Sequence, residues 1–185
     1  NPKTWTEHLK KEGRKVVHVV SNLRFAKKAA DAGVDTIVAE GFEAGGHNGR
    51  EETTTLCLLP LVCKEIDLPV IAAGGIATGE AMFAALALGA EGVQVGSRFV
   101  ATHESSAHQN FKKLVTETLE GGTALSLKDL TPVRLIKNKF YNDVKRAEDR
   151  AASVDELQEL LGRGRAKKGM REGDLEEGEL EIGQV

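Results

Sequence analysis

Three things are scarce in this sequence, and each argues against a class of function. Cysteine occurs only as Cys57 and Cys63, both inside one apolar run. That count argues against a disulfide framework and for a free, buried thiol pair in a reducing, cytoplasmic compartment. Long hydrophobic runs are missing. Leu56 to Cys63, which contains Pro60, spans eight residues, as does Ala81 to Leu88, whereas a membrane-spanning helix needs about 20 apolar residues. Excess positive charge is missing too. With 25 Lys and Arg against 28 Asp and Glu the formal net charge is -3, which argues against nucleic acid as the main partner. Nothing at the start reads as a signal peptide. No His, Cys, Asp or Glu spacing resembles a zinc site, so no metal is expected. No Ser–His–Asp arrangement is legible.

What is present is an alternation of strands and helices. Asn1-Pro2 opens a helix, with Asn as N-cap, Pro at the first helical position and Gly13 as the stop. Residues 15–20 read as a strand whose four valines suit burial on both faces, with His18 as a satisfied core histidine. A helix over 23–32 and a strand over 34–39 follow. A glycine-rich loop runs from Gly41 to about Arg50. Pro60 reads as the first-turn proline of a helix ending at Ile66. Then come a strand at 69–73, a helix at 78–88 behind Thr78, a strand at 92–95 and a longer helix over 105–119. Strands alternating with helices imply parallel strands joined by right-handed crossovers. Every strand then presents its carboxyl end on one edge, where ligands bind in such folds. Asn22, His47, Gly75 and Gly96 all follow those ends.

The chemistry concentrates in three segments. Residues 40–49 read Glu-Gly-Phe-Glu-Ala-Gly-Gly-His-Asn-Gly. Their glycines let backbone approach a ligand closely. His47 among them is a candidate acid, base or anion stabiliser near neutral pH. Glu40, at the strand end, can accept hydrogen bonds from a cofactor ring or ribityl chain. Gly74-Gly75 and Gly96-Ser97 each end a strand and lead into a helix, one βα unit apart. Backbone amides there suit a phosphate, as at the last strands of a TIM barrel.

Residues 120–185 change character. Lys128–Lys139 mixes basic and scattered apolar residues. Two short helices follow, at 140–150 and 153–161, the second with a Ser153/Glu156 capping box. Five basic residues between Arg163 and Arg171 then precede six acidic ones between Glu172 and Glu181. These read as a solvated helical appendage, with recognition of a charged carrier as the alternative. Two segments result: 1–120, a partial barrel, and 121–185, a helical appendage with a carboxyl-terminal tail. The ends read as those of part of a longer protein, since nothing precedes the first helix to pack on it and Val185 follows no closing element.

Three motifs in order carry a resemblance: Glu43-Ala44-Gly45-Gly46-His47-Asn48-Gly49, Ala72-Ala73-Gly74-Gly75-Ile76 and Val93-Gln94-Val95-Gly96-Ser97-Arg98-Phe99. The chain resembles the FMN-dependent nitronate monooxygenase and enoyl-acyl-carrier-protein reductase II family. Glu104-Ser105-Ser106-Ala107-His108 and Lys137-Asn138-Lys139-Phe140 bring it nearest the reductases. The resemblance implies an α/β fold, the carboxyl-terminal half of a TIM (β/α)8 barrel with four βα units plus the small helical appendage. It implies FMN, with Glu40, Gly45 and Gly46 along the flavin, Gly74, Gly75, Gln94, Val95, Gly96 and Ser97 on its phosphate, and His47 as the catalytic residue. The activity implied first is enoyl reduction in fatty acid biosynthesis, NAD(P)H reducing a small-molecule or acyl-carrier-protein-linked enoyl substrate through FMN. The second is oxidation of alkyl nitronates with oxygen. One departure bears on the second: the family commonly has a Ser before a closing Ala-Gly-Gln, where this chain has Glu179 and Ile182-Gly183-Gln184. A non-enzymatic reading also stands, an inactive half barrel, or one that dimerises to pair its open strand edges.

Overall fold

The computed structural model describes residues 1–184, and Val185 lies outside them. The strands are β1 (Val17–Val20), β2 (Thr36–Glu40), β3 (Gly46–His47), β4 (Val70–Ala73), β5 (Gly92–Gln94), β6 (Thr123–Ser126) and β7 (Val133–Ile136). The helices are α1 (Pro2–Lys11), α2 (Leu23–Asp31), α3 (Thr55–Glu65), α4 (Gly79–Ala87), α5 (Ser97–Val100), α6 (Gln109–Glu117), α7 (Lys139–Asp149), α8 (Val154–Leu161) and α9 (Arg165–Met170). Among the described residues no helix is long and apolar enough to cross a membrane.

Two compact units result. The first comprises Asn1–Glu43 and Glu51–Val95; the second comprises Ala44–Arg50 and the chain from Gly96 onward. The division therefore differs from the expected break at residue 120. The histidine loop groups with the residues from Gly96 onward because β3 pairs with β7.

The first unit is a parallel sheet in the order β1-β2-β4-β5. Three of the four expected βα units lie in it, together with the strand of the fourth. Short polar side chains start its helices: Asn22 Oδ1 accepts from the Phe25 amide at 2.8 Å, and Thr78 Oγ1 from the Ala81 amide at 3.2 Å. Such caps satisfy amides that have no intrahelical partner. Val20, Ile37, Ala39, Val70 and Ala72 share one sheet face and form a single core with Ala26, Ala29, Leu58, Leu59 and Val62 of the helices. Each of the fully buried larger side chains, Leu58, Leu59 and Val62, contributes about 1.5–3 kcal/mol.

Four expectations fail in this unit, each for a local reason. Valines 17 and 19 point away from the helices and are 52% and 48% exposed, so β1 is not buried on both faces. His18 is half-buried rather than a satisfied core residue, and burial holds its imidazole below the usual range. Helix α3 begins at Thr55, not near Pro60, because Thr54 Oγ1 caps it by accepting from the Cys57 amide at 3.3 Å. Pro60 lies inside that helix on its exposed side, beside Leu56 and Leu61. There the carbonyl that loses an amide partner to proline can be hydrated. The same exposed side carries Cys57, while Cys63 is half-buried, so the thiols are free but not a buried pair.

The second unit is not a helical appendage. Its centre is an antiparallel sheet in the order β3-β7-β6. All four residues of β7 are buried, including Arg134. Val133 and Leu135 pack with Leu127, Phe140 and Val144, while Ile136 packs with Phe111, Leu180 and Ile182. Four residues interrupted by an arginine give no clear period, which hides this strand in the sequence. Helix α6 starts at Gln109, later than expected, because His108 is its N-cap: Nδ1 accepts from the Asn110 amide at 3.1 Å. The Ser153/Glu156 capping box forms as expected. The charged run largely pairs with itself: Lys167 with Glu172 at 3.0 Å, Lys168 with Asp174 at 3.1 Å and Arg165 with Glu177 at 3.2 Å.

Candidate active site

In the first unit the register aligns the carboxyl ends of three strands. Glu40 stands opposite Ala73, and Ala73 opposite Gln94. With neighbouring strands about 4.8 Å apart, Glu40 and Gln94 are roughly 10 Å from each other in that row. Burial raises the Glu40 carboxyl above the usual carboxylate range. Gln94 is exposed and Val95 packs partly against the core.

Beyond Ala73 the chain turns through Gly74 and Gly75, with φ of +97° and +68°. Only glycine takes such angles without strain. A residue passed over in the sequence holds this turn. Both carboxylate oxygens of Glu43 accept from the Thr55 amide, at 3.1 and 3.0 Å. The Thr55 hydroxyl lies within hydrogen-bond reach of Glu43 Oε2, Ala73 O and Gly74 O. A carboxylate at the amino end of α3 is favoured by the helix dipole as well. Glu43 therefore ties three things together: the segment after β2, the start of α3 and the turn after β4. Glu43 and Thr55 are twelve residues apart, so no helical or strand period could have revealed the link.

In the second unit, Gly46 and His47 are strand residues rather than free loop. Gly46 pairs with Arg134 and His47 with Val133. The Asn48 amide donates to Pro132 O at 2.8 Å, and Asn48 Nδ2 donates to Ala44 O at 2.9 Å and Gly46 O at 3.0 Å. The backbone is held while the His47 residue is exposed. A glycine-rich segment has low strand propensity, so this pairing leaves no sign in the sequence.

The segment from Glu179 to Gly183 is the second feature missed. The Glu179 amide donates to Arg165 O at 3.1 Å, and Leu180 O accepts from the Ile136 amide at 2.8 Å. A Cβ on Gly45 would lie 2.3 Å from the Ile182 carbonyl carbon and 2.6 Å from the Gly183 nitrogen. Gly45 is glycine because this backbone runs against it. On Gly46 a Cβ would lie 2.9 Å from Glu181 Oε2. Further on, the Gly183 amide donates to Ser97 Oγ at 2.8 Å. One short segment thus touches both the histidine strand and the Gly96-Ser97 turn.

The glycine turns fit an anion. Among the described residues the amides of Gly75, Gly96 and Ser97 donate to no protein acceptor. No atom of the described residues lies within 4 Å of where a Cβ on Gly96 would be. Ser97 Oγ accepts from Gly183, so its own proton remains to be donated to a phosphate oxygen. The residues present are compatible with the phosphate of a flavin nucleotide.

Glu179 makes this segment pH-sensitive. Burial, and then repulsion from Glu181, push its carboxyl up to about 7, with Arg165 acting in the opposite direction. A buried acid with a raised folded value costs nothing below the unfolded value, near 4.5, and its full penalty appears above about 7. The gap corresponds to roughly 3 kcal/mol. Stability toward urea is therefore expected to fall between pH 5 and pH 8. Glu179→Gln should remove most of that fall; an unchanged pH dependence in the variant would refute the assignment.

A family profile described as nitronate monooxygenase matches residues 1–185. The chain belongs to this family. Among curated relatives, a probable nitronate monooxygenase from Staphylococcus saprophyticus is 32% identical over 179 residues, covering 90% of this chain and 50% of that protein. A nitronate monooxygenase from Paraburkholderia phytofirmans is 45% identical over 112 residues, covering 57% of this chain and 31% of that protein. Among solved structures, FabK from Thermotoga maritima superposes with a TM-score of 0.92 at 39% identity, over 100% of this chain and 58% of FabK. A nitroalkane oxidase from Streptomyces ansochromogenes superposes with a TM-score of 0.78 at 30% identity, over 98% of this chain and 55% of that one. The chain spans about half the length of the curated relatives it matches. The family consists of flavin-dependent oxidoreductases, and the fold agrees with a partial TIM barrel.

Proposed function

We propose that this chain is part of a flavin-dependent reductase of enoyl thioesters, taking its electrons from NAD(P)H. The observation that carries the reading is the superposition on FabK, an enoyl-acyl-carrier-protein reductase II, over the whole chain at a TM-score of 0.92. The nitroalkane oxidase follows the same backbone less closely. FMN, when bound, would supply the two-electron chemistry that no amino-acid side chain provides.

The residues of this chain do the rest. The Gly74-Gly75 turn offers the Gly75 amide to a phosphate oxygen, and, taken separately, the turn from Gln94 to Ser97 offers the Gly96 and Ser97 amides and the Ser97 hydroxyl. Glu40 accepts a hydrogen bond from the flavin ring or its ribityl chain. Gly45 and Gly46 present backbone along the ring. His47, exposed on a strand whose backbone is fixed, polarises the thioester carbonyl or delivers a proton to the substrate.

A second reading is oxidation of alkyl nitronates, favoured by the names of the curated relatives. In it His47 acts as base or anion stabiliser. The two separate on anaerobic mixing of the flavin-loaded protein with NADPH. Rapid loss of the yellow absorbance, restored by a crotonyl thioester, is the expected result. Bleaching by a nitronate alone would overturn the reductase assignment. Failure of the protein to retain any flavin would overturn both.

A further inference from the structure

The buried Thr55 hydroxyl has one proton and three acceptors in reach: Gly74 O at 2.9 Å, and Ala73 O and Glu43 Oε2, each at 3.1 Å. Two of the three are served already. Ala73 O accepts from the Gly41 amide at 2.9 Å, and both oxygens of Glu43 accept from the Thr55 amide. The proton therefore goes to Gly74 O, the nearest. That oxygen belongs to the same peptide unit as the Gly75 amide. The unit is planar and trans, so its N–H points opposite to its C=O. Holding Gly74 O toward Thr55 thus aims the Gly75 N–H away from it, where among the described residues it donates to no protein acceptor.

The glycines on either side make such a hold necessary. With φ of +97° and +68° and no Cβ at either residue, nothing in their own side chains resists rotation of this peptide through half a turn. Turned round, it would present a carbonyl oxygen, which repels an anion, in place of an amide, which binds one. We propose that Thr55 is a positioning residue for this turn: its hydroxyl locks the Gly74–Gly75 peptide with the amide toward a phosphate monoester, and Glu43 holds Thr55 in place to do so. The inference rests on the reading of the turn as a phosphate site. The stem of Glu43 backs the turn as well, its Cβ and Cγ lying 3.4 and 3.6 Å from where a Cβ on Gly75 would be.

The lock can be read without turnover, by following the Gly75 amide by NMR while the flavin-free chain is titrated with inorganic phosphate. In the parent its peak should move as phosphate binds. Thr55→Val keeps the size of the side chain and the amide that Glu43 holds, but loses the hydroxyl. Its phosphate affinity should fall by about 5- to 10-fold, the effect of one lost hydrogen bond. Thr55→Ser restores the hydroxyl and should bind within about twofold of the parent. A valine variant that binds like the parent overturns the proposal, and so does a serine variant that binds as weakly as valine. If the valine variant does not fold, the parent decides: its Thr55 hydroxyl proton should exchange slowly enough to give a resolved signal, and rapid exchange with water overturns the lock. A Gly75 peak that ignores phosphate in the parent ends the phosphate reading of the turn and the proposal with it. A phosphate response that obeys the lock in a chain retaining no FMN supports the proposal and ends the flavin reading instead.

Discussion

Replacing His47 by Ala lowers turnover by about 10²–10⁴-fold, the usual contribution of a positioned acid or base, while flavin content stays that of the parent. The separation follows from how the histidine is held. Its backbone, not its imidazole, makes the antiparallel pair with Val133, and the neighbouring Asn48 ties Ala44 and Gly46. The His47 residue is exposed, so truncation removes little packing. The proposed phosphate contacts belong to other residues, chiefly the amides of Gly75, Gly96 and Ser97. Steady-state turnover with a crotonyl thioester, beside the flavin-to-protein absorbance ratio, measures both quantities on one sample. Equal loss of turnover and flavin would make His47 a structural residue.

Substituting Gly45 by Ala destabilises the second unit by about 3 kcal/mol, the upper part of the range for overpacking. The cost comes from what the new methyl group meets. It would fall 2.3 Å from the Ile182 carbonyl carbon and 2.6 Å from Ile182 Cα. These are backbone atoms of a segment anchored through Leu180 O and the Gly183 amide. A flexible side chain could swing aside; this backbone can move only by giving up those hydrogen bonds and the burial of Leu180 and Ile182. Gly96→Ala is the matched control, because open space surrounds its Cβ position. Urea denaturation of the two variants should give a large shift in midpoint for the first and a small one for the second. Equal midpoints would mean that the carboxyl-terminal segment does not press on Gly45.

The family position of this chain was legible from three short motifs, because glycines at strand ends and a histidine among glycines leave a local signature. The parallel half of the fold was legible for a similar reason. A period of strand and helix, with Asn22, Thr78 and Gly89 as punctuation, needs no distant information. The second sheet was not legible. Val133–Ile136 becomes a strand because three apolar side chains find two separate clusters, one with Phe140 and one with Phe111. Neither cluster can be read from four residues. Nor could the start of α3 be read from Pro60, since a cap three residues before Cys57 outweighs the preference of proline for a first turn.

Sequence alone determined the family, the parallel strands and the candidacy of His47, Gly75 and Gly96, since each rests on short local motifs and on the alternation of strand and helix. Tertiary structure alone decided what surrounds them. It made Glu43 the tie between the Gly74 turn and α3, made Gly45 a contact for residues 182–183, and set the Glu181 carboxyl against Gly46. Those relations join residues separated by twelve positions or by more than a hundred, across which no periodicity survives. Only the closing of the backbone into sheets, which must satisfy its buried polar groups, brings them together.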